Sequence, residues 1–277
     1  MEGGMPSVDR RLGVGRLRVA RRFNKSVACE AYASSPLRLL TPKNHGHAAW
    51  VFITSYGGGL VDGDALAIQA KVEPGACAFV STQASTKVYK SPNGTSVEMT
   101  AEVGARGLLI LLPDPVICFA RSRYQQRQEV VLDTGAGLVL VDWVSSGRRE
   151  YGERWAFDEY VSQTVVQQDG LLRVHDSLAL RSADGDLASR FRDWDVLAVV
   201  MVLGQPLEDE VRSILKKSDA LAPTGRLDEL VTVAPIGKDG CVLRIGGRSV
   251  EKVWRIVQNV LGFVPTRLGD NPWARKW

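Results

Sequence analysis

Apolar, β-branched runs of roughly four to ten residues, each bounded by Gly, Pro, Asp or Asn, recur along the chain and predict strands. They cover Trp50–Thr54, Ala76–Val80, Leu108–Leu112, Glu129–Leu132, Leu138–Val144, Tyr160–Gln167, Leu171–Leu180, Val196–Leu203, Leu230–Val233 and Cys241–Ile245. No helical segment separates them before residue 200, which argues against alternating β-α units. Leu17 and Val19 alternate with Arg16 and Arg18, the period of a strand with one charged face. Two helices are predicted late in the chain. In Pro206–Lys217, Pro suits the first turn, Glu208, Asp209 and Glu210 sit at the positive end of the dipole, and Lys216 and Lys217 at the negative end. Leu207, Val211, Ile214 and Leu215 form its apolar stripe. In Val250–Leu261, Ser249 caps a helix whose Val250, Val253, Trp254, Val257 and Leu261 share a face, with Gly262 as terminator. Such stripes pack on a sheet; the alternative is that Trp254 meets a partner. Asp184–Asp186 and Ser218–Asp228 read as loops.

A weak internal repeat bears on how the strands are arranged. Glu73-Pro-Gly-Ala76, Glu102-Val-Gly-Ala105 and Asp133-Thr-Gly-Ala136 each place an acid two residues before Gly-Ala and precede an apolar strand. The glycines lie 29 and then 31 residues apart, a period that suggests a coil of strands stacked on its neighbours, each glycine supplying a turn with positive φ. A plain β-sandwich with similar turns is the alternative. The strands after these turns run from apolar into polar: Val80-Ser-Thr-Gln83, Leu112-Pro-Asp-Pro115 and Val141-Asp-Trp-Val-Ser-Ser146. If the copies stack, Thr82, Gln83, Asp114 and Asp142 gather in one polar zone.

The length of 277 residues, 45% of them apolar, suits one large domain, residues 1–277, with 1–12 as a flexible N-terminus. Thirty-five basic against 31 acidic residues, a net charge of +4, make no nucleic-acid footprint. Arg10, Arg11, Arg16, Arg18, Arg21 and Arg22 face only Glu2 and Asp9; a charged strand face explains them better than a transit peptide. No apolar run reaches the roughly eighteen residues of a membrane span, and no secretory signal is visible. Cys29, Cys77, Cys118 and Cys241 are scattered singly, so each reads as a buried small hydrophobe in a reducing cytosol.

The most polar glycine-rich stretch is Ser55-Tyr-Gly-Gly-Gly-Leu-Val-Asp-Gly-Asp64. No helix start and no Lys-Ser/Thr follows Gly57-Gly-Gly59, so it is not a P-loop. Asp62-Gly-Asp64 lacks the further oxygen donors of a calcium loop, because Leu66 and Ile68 intervene before Glu73. His45 and His47 could bind a metal together, but His175 is distant and surface histidines are the simpler reading. Ser145-Ser-Gly147 has no histidine base nearby, and Ser81–Ser91 holds no recognisable acid–base pair. Arg148, Arg149, Glu150, Glu153, Arg154 and Asp158 around Trp155 read as a solvated face or a protein interface. The residues therefore point to a binding or scaffold protein. The competing readings are an enzyme with a polar active site at Thr82–Lys87, favoured if Lys87 closes a pocket beside a perturbed carboxylate, and an extracellular carbohydrate-binding β-helix. The latter lacks a signal peptide and stacked exposed aromatics.

Five motifs in order resemble one family. They are Ser55–Asp64, Thr82-Gln-Ala-Ser-Thr-Lys-Val-Tyr-Lys90, Leu112-Pro-Asp-Pro115, Ser122-Arg-Tyr-Gln-Gln-Arg-Gln128, and Asp142-Trp-Val-Ser-Ser-Gly-Arg148 with Gly152-Glu-Arg-Trp155. Together they are similar to the urease accessory protein UreD, also called UreH, in its eukaryotic variant, from about Gly15 to at least Leu180. Many bacterial relatives carry Ser-Pro where this chain has Ser55-Tyr56. The resemblance implies a mainly β, β-helix-like body with two α-helices in the C-terminal third. It implies a non-catalytic cytoplasmic scaffold that binds apo-urease and UreF, and through UreF the GTPase UreG, in a hetero-oligomeric complex without nucleic acid or membrane. It implies no tightly bound cofactor and nickel only in transit through an internal tunnel. A conduit must release its ion, so carboxylates, hydroxyls and waters suit it better than histidine and cysteine. Asp62, Asp142 and Glu153 are the candidate nickel-path residues. Tyr56, Gly57, Gly58, Gly59, Asp64, Thr82, Gln83, Ser85, Lys87, Asp114, Asp176 and Trp254 are the candidates for tunnel or interface.

Overall fold

In the computed structural model, which describes residues 11–218 and 228–275, the apolar runs are strands of two facing sheets. Numbered along the chain, the first sheet holds β1 (Arg11–Arg22), β2 (Lys25–Ala33), β5 (Asp64–Val72), β8 (Thr95–Val103), β11 (Arg123–Leu132), β13 (Glu159–Gln168) and β14 (Leu171–Arg181). The second holds β3 (Leu37–Leu40), β4 (Ala49–Ser55), β6 (Cys77–Thr82), β9 (Leu108–Leu112), β12 (Gly137–Ser145), β15 (Val196–Leu203), β16 (Glu229–Pro235) and β17 (Gly240–Gly247), with the short β7 (Thr86–Val88) and β10 (Val116–Cys118) beside it. Their spatial orders are β14-β13-β11-β8-β5-β1-β2 and β16-β17-β15-β12-β9-β6-β4-β3. From β4 to β13 the chain alternates between the sheets and pairs parallel with the previous circuit, as the stacked-strand reading expects. Antiparallel hairpins close both ends of each sheet.

Burial follows from what covers each face. Strands of the first sheet alternate buried and exposed residues, because their outer face meets water. Strands of the second sheet are apolar on both faces: β9 reads Leu-Leu-Ile-Leu-Leu and β15 Val-Leu-Ala-Val-Val-Met-Val-Leu. Their outer face is roofed by α2 (Glu208–Ser218) and α3 (Val250–Val260), the two helices expected from sequence. Two five-residue helices, α1 (Leu187–Phe191) and α4 (Val264–Leu268), were not foreseen. Trp254 stacks on Trp143 at 5.7 Å and meets Trp273 edge-on, so it is core rather than a surface offered to a partner.

Three expectations need correction. Arg11 and Leu12 begin β1 and pair with Asp64 and Ala65, so the expected flexible segment does not include them; residues 1–10 lie outside the described residues, as does 219–227 of the expected loop at 218–228. Cys29 is exposed, with Sγ donating to the Arg18 carbonyl, unlike the three buried cysteines. Gly262 directly follows the end of the helix at Val260 and its C-cap Leu261, as expected, but without the left-handed φ of a terminating glycine; a turn leads from it into α4. The repeat is also aligned differently. Val72, Val103 and Leu132 are register partners, as are Cys77, Leu108 and Gly137, so the period is 31 and then 29 residues. Gly75 and Gly135 stack with Arg106, not with Gly104, and these three residues carry the left-handed φ of 68°, 70° and 57°. Gly104 serves otherwise: a Cβ there would lie 2.8 Å from Pro74 Cδ. Among the described residues no helix is long and apolar enough to cross a membrane.

Candidate functional site

The inward rows of the first sheet change character along the stack. Leu66 and Val97 are followed in register by Gln126 and Ser162; Ile68 and Met99 are followed by Gln128, Thr164 and Asp176. An apolar interior thus becomes polar at β11 and β13. There it faces a cavity of about 130 Å³ between the sheets, with Asp142 of β12 on its wall. That volume admits several waters, each of which needs two to four polar partners.

Asp142 is held entirely by neutral donors. Gln126 Nε2 donates to Oδ1 at 3.1 Å and Tyr160 Oη at 3.4 Å, while Ser162 Oγ donates to Oδ2. Tyr124 donates to Gln126 Oε1 at 2.9 Å and stacks on Tyr160, ring centres 5.8 Å apart. Among the described residues no cation pairs with the buried carboxylate, so desolvation raises the Asp142 pKa against the lowering effect of its three donors, with Asp176 adding to the rise. Burial likewise pushes both tyrosines well above their usual value, and Asp142 pushes them further. A carboxylate kept in this state costs stability, which is characteristic of functional positions.

The other wall of the cavity comes from the polar strand exits. Thr82 Oγ1 donates to Asp114 Oδ2 at 3.0 Å and accepts from the Asp114 amide at 2.7 Å. Thr82, Ser85, Asp114 and Asp142 line one space, as stacking of the exits requires; Gln83 is exposed and does not join them. The exposed Gly58 and Ala84 mark the mouth. Lys87 is exposed and is not part of the wall, so it does not close the pocket that an enzyme at Thr82–Lys87 requires.

The glycine run forms a thin partition at this mouth. Gly57 and Gly58 turn the chain with φ of 82° and 72°. Gly59 is needed for closeness: a Cβ there would stand 2.6 Å from the Lys87 carbonyl and 2.7 Å from Tyr89 Cε2, where Leu60 N donates to that same carbonyl at 2.8 Å. Gly59 borders the cavity on one side and, on the other, an outer depression lined by the exposed Tyr56 and Gly57 and by Asp64. Asp64 is buried; its Oδ2 accepts from the Val61 amide at 2.9 Å, and Oδ1 has no partner among the described residues. Gly59→Ala is expected to cost about 1–3 kcal/mol through backbone overlap. Gly58→Ala meets no neighbour and pays only for φ, about 1 kcal/mol. Thermal denaturation of both checks this, and equal costs would rule out the close-packing role.

The remaining candidates lie elsewhere. Asp62 accepts from Asn93 N at 2.9 Å and Nδ2 at 2.7 Å, fastening a surface turn. Glu153 is gripped by Arg148 and accepts from the Ala120 amide at 3.1 Å, and Arg148 holds its pKa down. Asp176 pairs with Arg244 at the far edge of the interior. Trp155, expected on a solvated face or interface, is buried, and Arg154 beside it pairs with Asp195. His45 and His47 sit in the loop before β4 and His175 on β14, all exposed. Gln126, Tyr124, Tyr160 and Ser162 were missed around Asp142. Their signal was polar residues on the same alternate set as Val130, Leu132 and Val166.

Chemically, this is an oxygen-lined space. Among the described residues, no three His, Cys, Asp or Glu side chains converge to hold a metal. Burial raises the Cys77 and Cys118 thiols to about 12 and that of Cys241 to about 11, so none offers a thiolate at neutral pH.

The family model described as UreD urease accessory protein matches residues 12–277. The chain is 46% identical over 265 residues to the urease accessory protein UreD of Sorangium cellulosum, covering 96% of this chain and 84% of that protein. The corresponding figures for UreD of Anaeromyxobacter sp. are 39% over 272 residues, 98% and 91%. For urease accessory protein D of Oryza sativa subsp. indica they are 33% over 290 residues, 94% and 94%.

Proposed function

The chain belongs to the UreD urease accessory protein family, and from that premise we propose that it is a non-catalytic scaffold of urease maturation that conducts nickel. On this reading it binds apo-urease and UreF in the cytoplasm, and UreG through UreF, in a hetero-oligomeric complex. The observation that carries the proposal is the internal cavity leading from the Gly58 mouth past Thr82 and Asp114 to Asp142. Its polar donors are oxygens and amides. Thiolate and imidazole ligands hold divalent nickel tightly, whereas one carboxylate among hydroxyls and water binds it weakly enough to let it go. The path we propose rests on Asp142, with Asp64 in the outer depression as the carboxylate before the glycine partition. Asp62 and Glu153 are engaged by Asn93 and Arg148 away from the cavity, and are assigned no step in it.

Co-expression of the tagged chain with UreF and apo-urease tests the partnership. Both proteins are expected to co-purify with it, and failure to recover either would overturn the proposed scaffold.

A further inference from the structure

At the edge of the stack opposite the cavity mouth, a separate cleft of about 630 Å³ opens beside the turns between the sheets. Arg21 reaches it from the end of β1, Arg106 from the turn between β8 and β9, and Arg267 from α4, with His47 alongside. Its floor is partly apolar, from Leu108, Pro206 and Phe263.

The charges are not balanced. Glu210, the carboxylate in the cleft, gives Oε1 to Arg267 Nε at 2.8 Å and Nη2 at 2.5 Å, and its Oε2 is buried. Glu73, the acid of the neighbouring turn, is paired with Arg18 at 3.0 Å. Arg21 and Arg106 enter no ion pair among the described residues. Two guanidinium groups are therefore uncompensated beside a third that its carboxylate partner orients.

Their placement also has a backbone cost. Arg106 adopts φ 57° where the equivalent residues of the adjoining rungs are Gly75 and Gly135. A side chain is disfavoured in that conformation, and glycine would fit without strain. The two glycines leave room: Arg21 Cδ lies 3.9 Å from a Cβ built on Gly75, and Arg106 Cγ 3.6 Å from one built on Gly135. The turn thus carries an arginine, at a conformational cost, in line with a second arginine without an ion pair two rungs away, across Gly75.

We propose that this cleft binds an oxyanion, a phosphate or carboxylate group, recognised by Arg21 and Arg106. The guanidinium fork matches both groups in bidentate fashion, and Arg267, held and neutralised by Glu210, adds a fixed guanidinium edge to the cleft. The inference is independent of the nickel path, which lies at the other edge of the stack.

Isothermal titration of the full chain with inorganic pyrophosphate, and separately with a tetra-aspartate peptide, tests it. Binding of at least one probe is expected, weakening with added salt. Preference for pyrophosphate would identify a phosphate ligand, and preference for the peptide an acidic protein segment. The R21Q/R106Q variant is expected to bind the preferred probe at least about tenfold more weakly, the scale of one charge-assisted hydrogen bond. Arg106→Gly should lose affinity similarly while keeping its melting temperature within about 2 °C, because relieved strain offsets added unfolded-state entropy. Absence of binding by both probes, or unchanged affinity in a folded R106G, would overturn the proposal.

Discussion

Asparagine in place of Asp142 is expected to make the protein more stable and, on the proposed conduit function, to weaken delivery of nickel to urease at least about tenfold. The two effects have one cause. Asp142 is the carboxylate on the inner wall of the cavity, and its three partners are neutral side chains. Burial without a counter-charge raises its pKa, so folding works against its ionisation. The sign follows directly. The folded state keeps the proton at pH values where the unfolded chain has lost it. The penalty therefore begins as pH rises above the unfolded carboxyl value of about 3.9, and is complete once pH passes the raised folded value. Asparagine keeps an oxygen for Gln126 and Tyr160 and removes the charge, while the Ser162 hydroxyl can turn to accept from its amide. The gain should be about 1 kcal/mol at neutral pH, or roughly 2–4 °C in melting temperature for a domain of this size, and should shrink toward pH 4. Nickel content of urease activated in the presence of the variant gives the second readout, with co-purification of the partners as control. A variant that is less stable at neutral pH, or that loads urease normally, would contradict this assignment of Asp142.

How much of this was legible depended on whether the relevant neighbour was local. The periodicity of α2 and α3 and the doubly apolar runs of β9, β12 and β15 are properties of single segments. They announced a sheet roofed by helices. The stack itself was signalled by Gly75 and Gly135, but the middle copy was misaligned. Register is set by hydrogen bonds between rungs, and those bonds put Arg106 where sequence similarity put Gly104. The same limit governed the carboxylates. Asp62, Asp142 and Glu153 look alike as letters, yet only Asp142 falls on an inward position opposite polar residues of the other sheet. Asp62 is claimed by Asn93, thirty-one residues on, and Glu153 by Arg148 and the Ala120 amide, partners that periodicity does not rank. Gln126 and Ser162 were detectable in principle, because each breaks an apolar alternation on a strand whose other end is core.

Asp195→Ala is expected to cost about 3 kcal/mol or more, the largest loss of stability from a single side chain outside the apolar core. Asp195 stands between α1 and β15, and its side chain is 9% exposed. Its Oδ1 accepts from Arg154 Nε at 2.5 Å and its Oδ2 from Arg149 Nη1 at 2.7 Å. The two bonds are not equal. Arg149 is 64% exposed, so solvent screens that pair and it contributes little. Arg154 is largely enclosed, and its other donors hold the carbonyls of Ala188, Arg192 and Trp194 around the end of α1. Trp155 adds an indole donor to the Trp194 carbonyl at 2.9 Å and packs on Phe191. Without Asp195 the enclosed guanidinium loses its counter-charge, and the segment following β12 loses one of its ties to the chain entering β15, leaving those through the Arg154 and Trp155 donors. That segment leaves the strand carrying Asp142, so the cavity wall should loosen as well. Asp195→Asn keeps one acceptor oxygen, for Arg154, and gives up the charge and the acceptor facing Arg149, so it should cost less than the alanine variant; Arg149→Ala should change stability by under about 1 kcal/mol. Chemical denaturation of the three variants orders these effects. A loss in Asp195→Ala no greater than in Arg149→Ala would show that the Arg154 pair does not hold this junction.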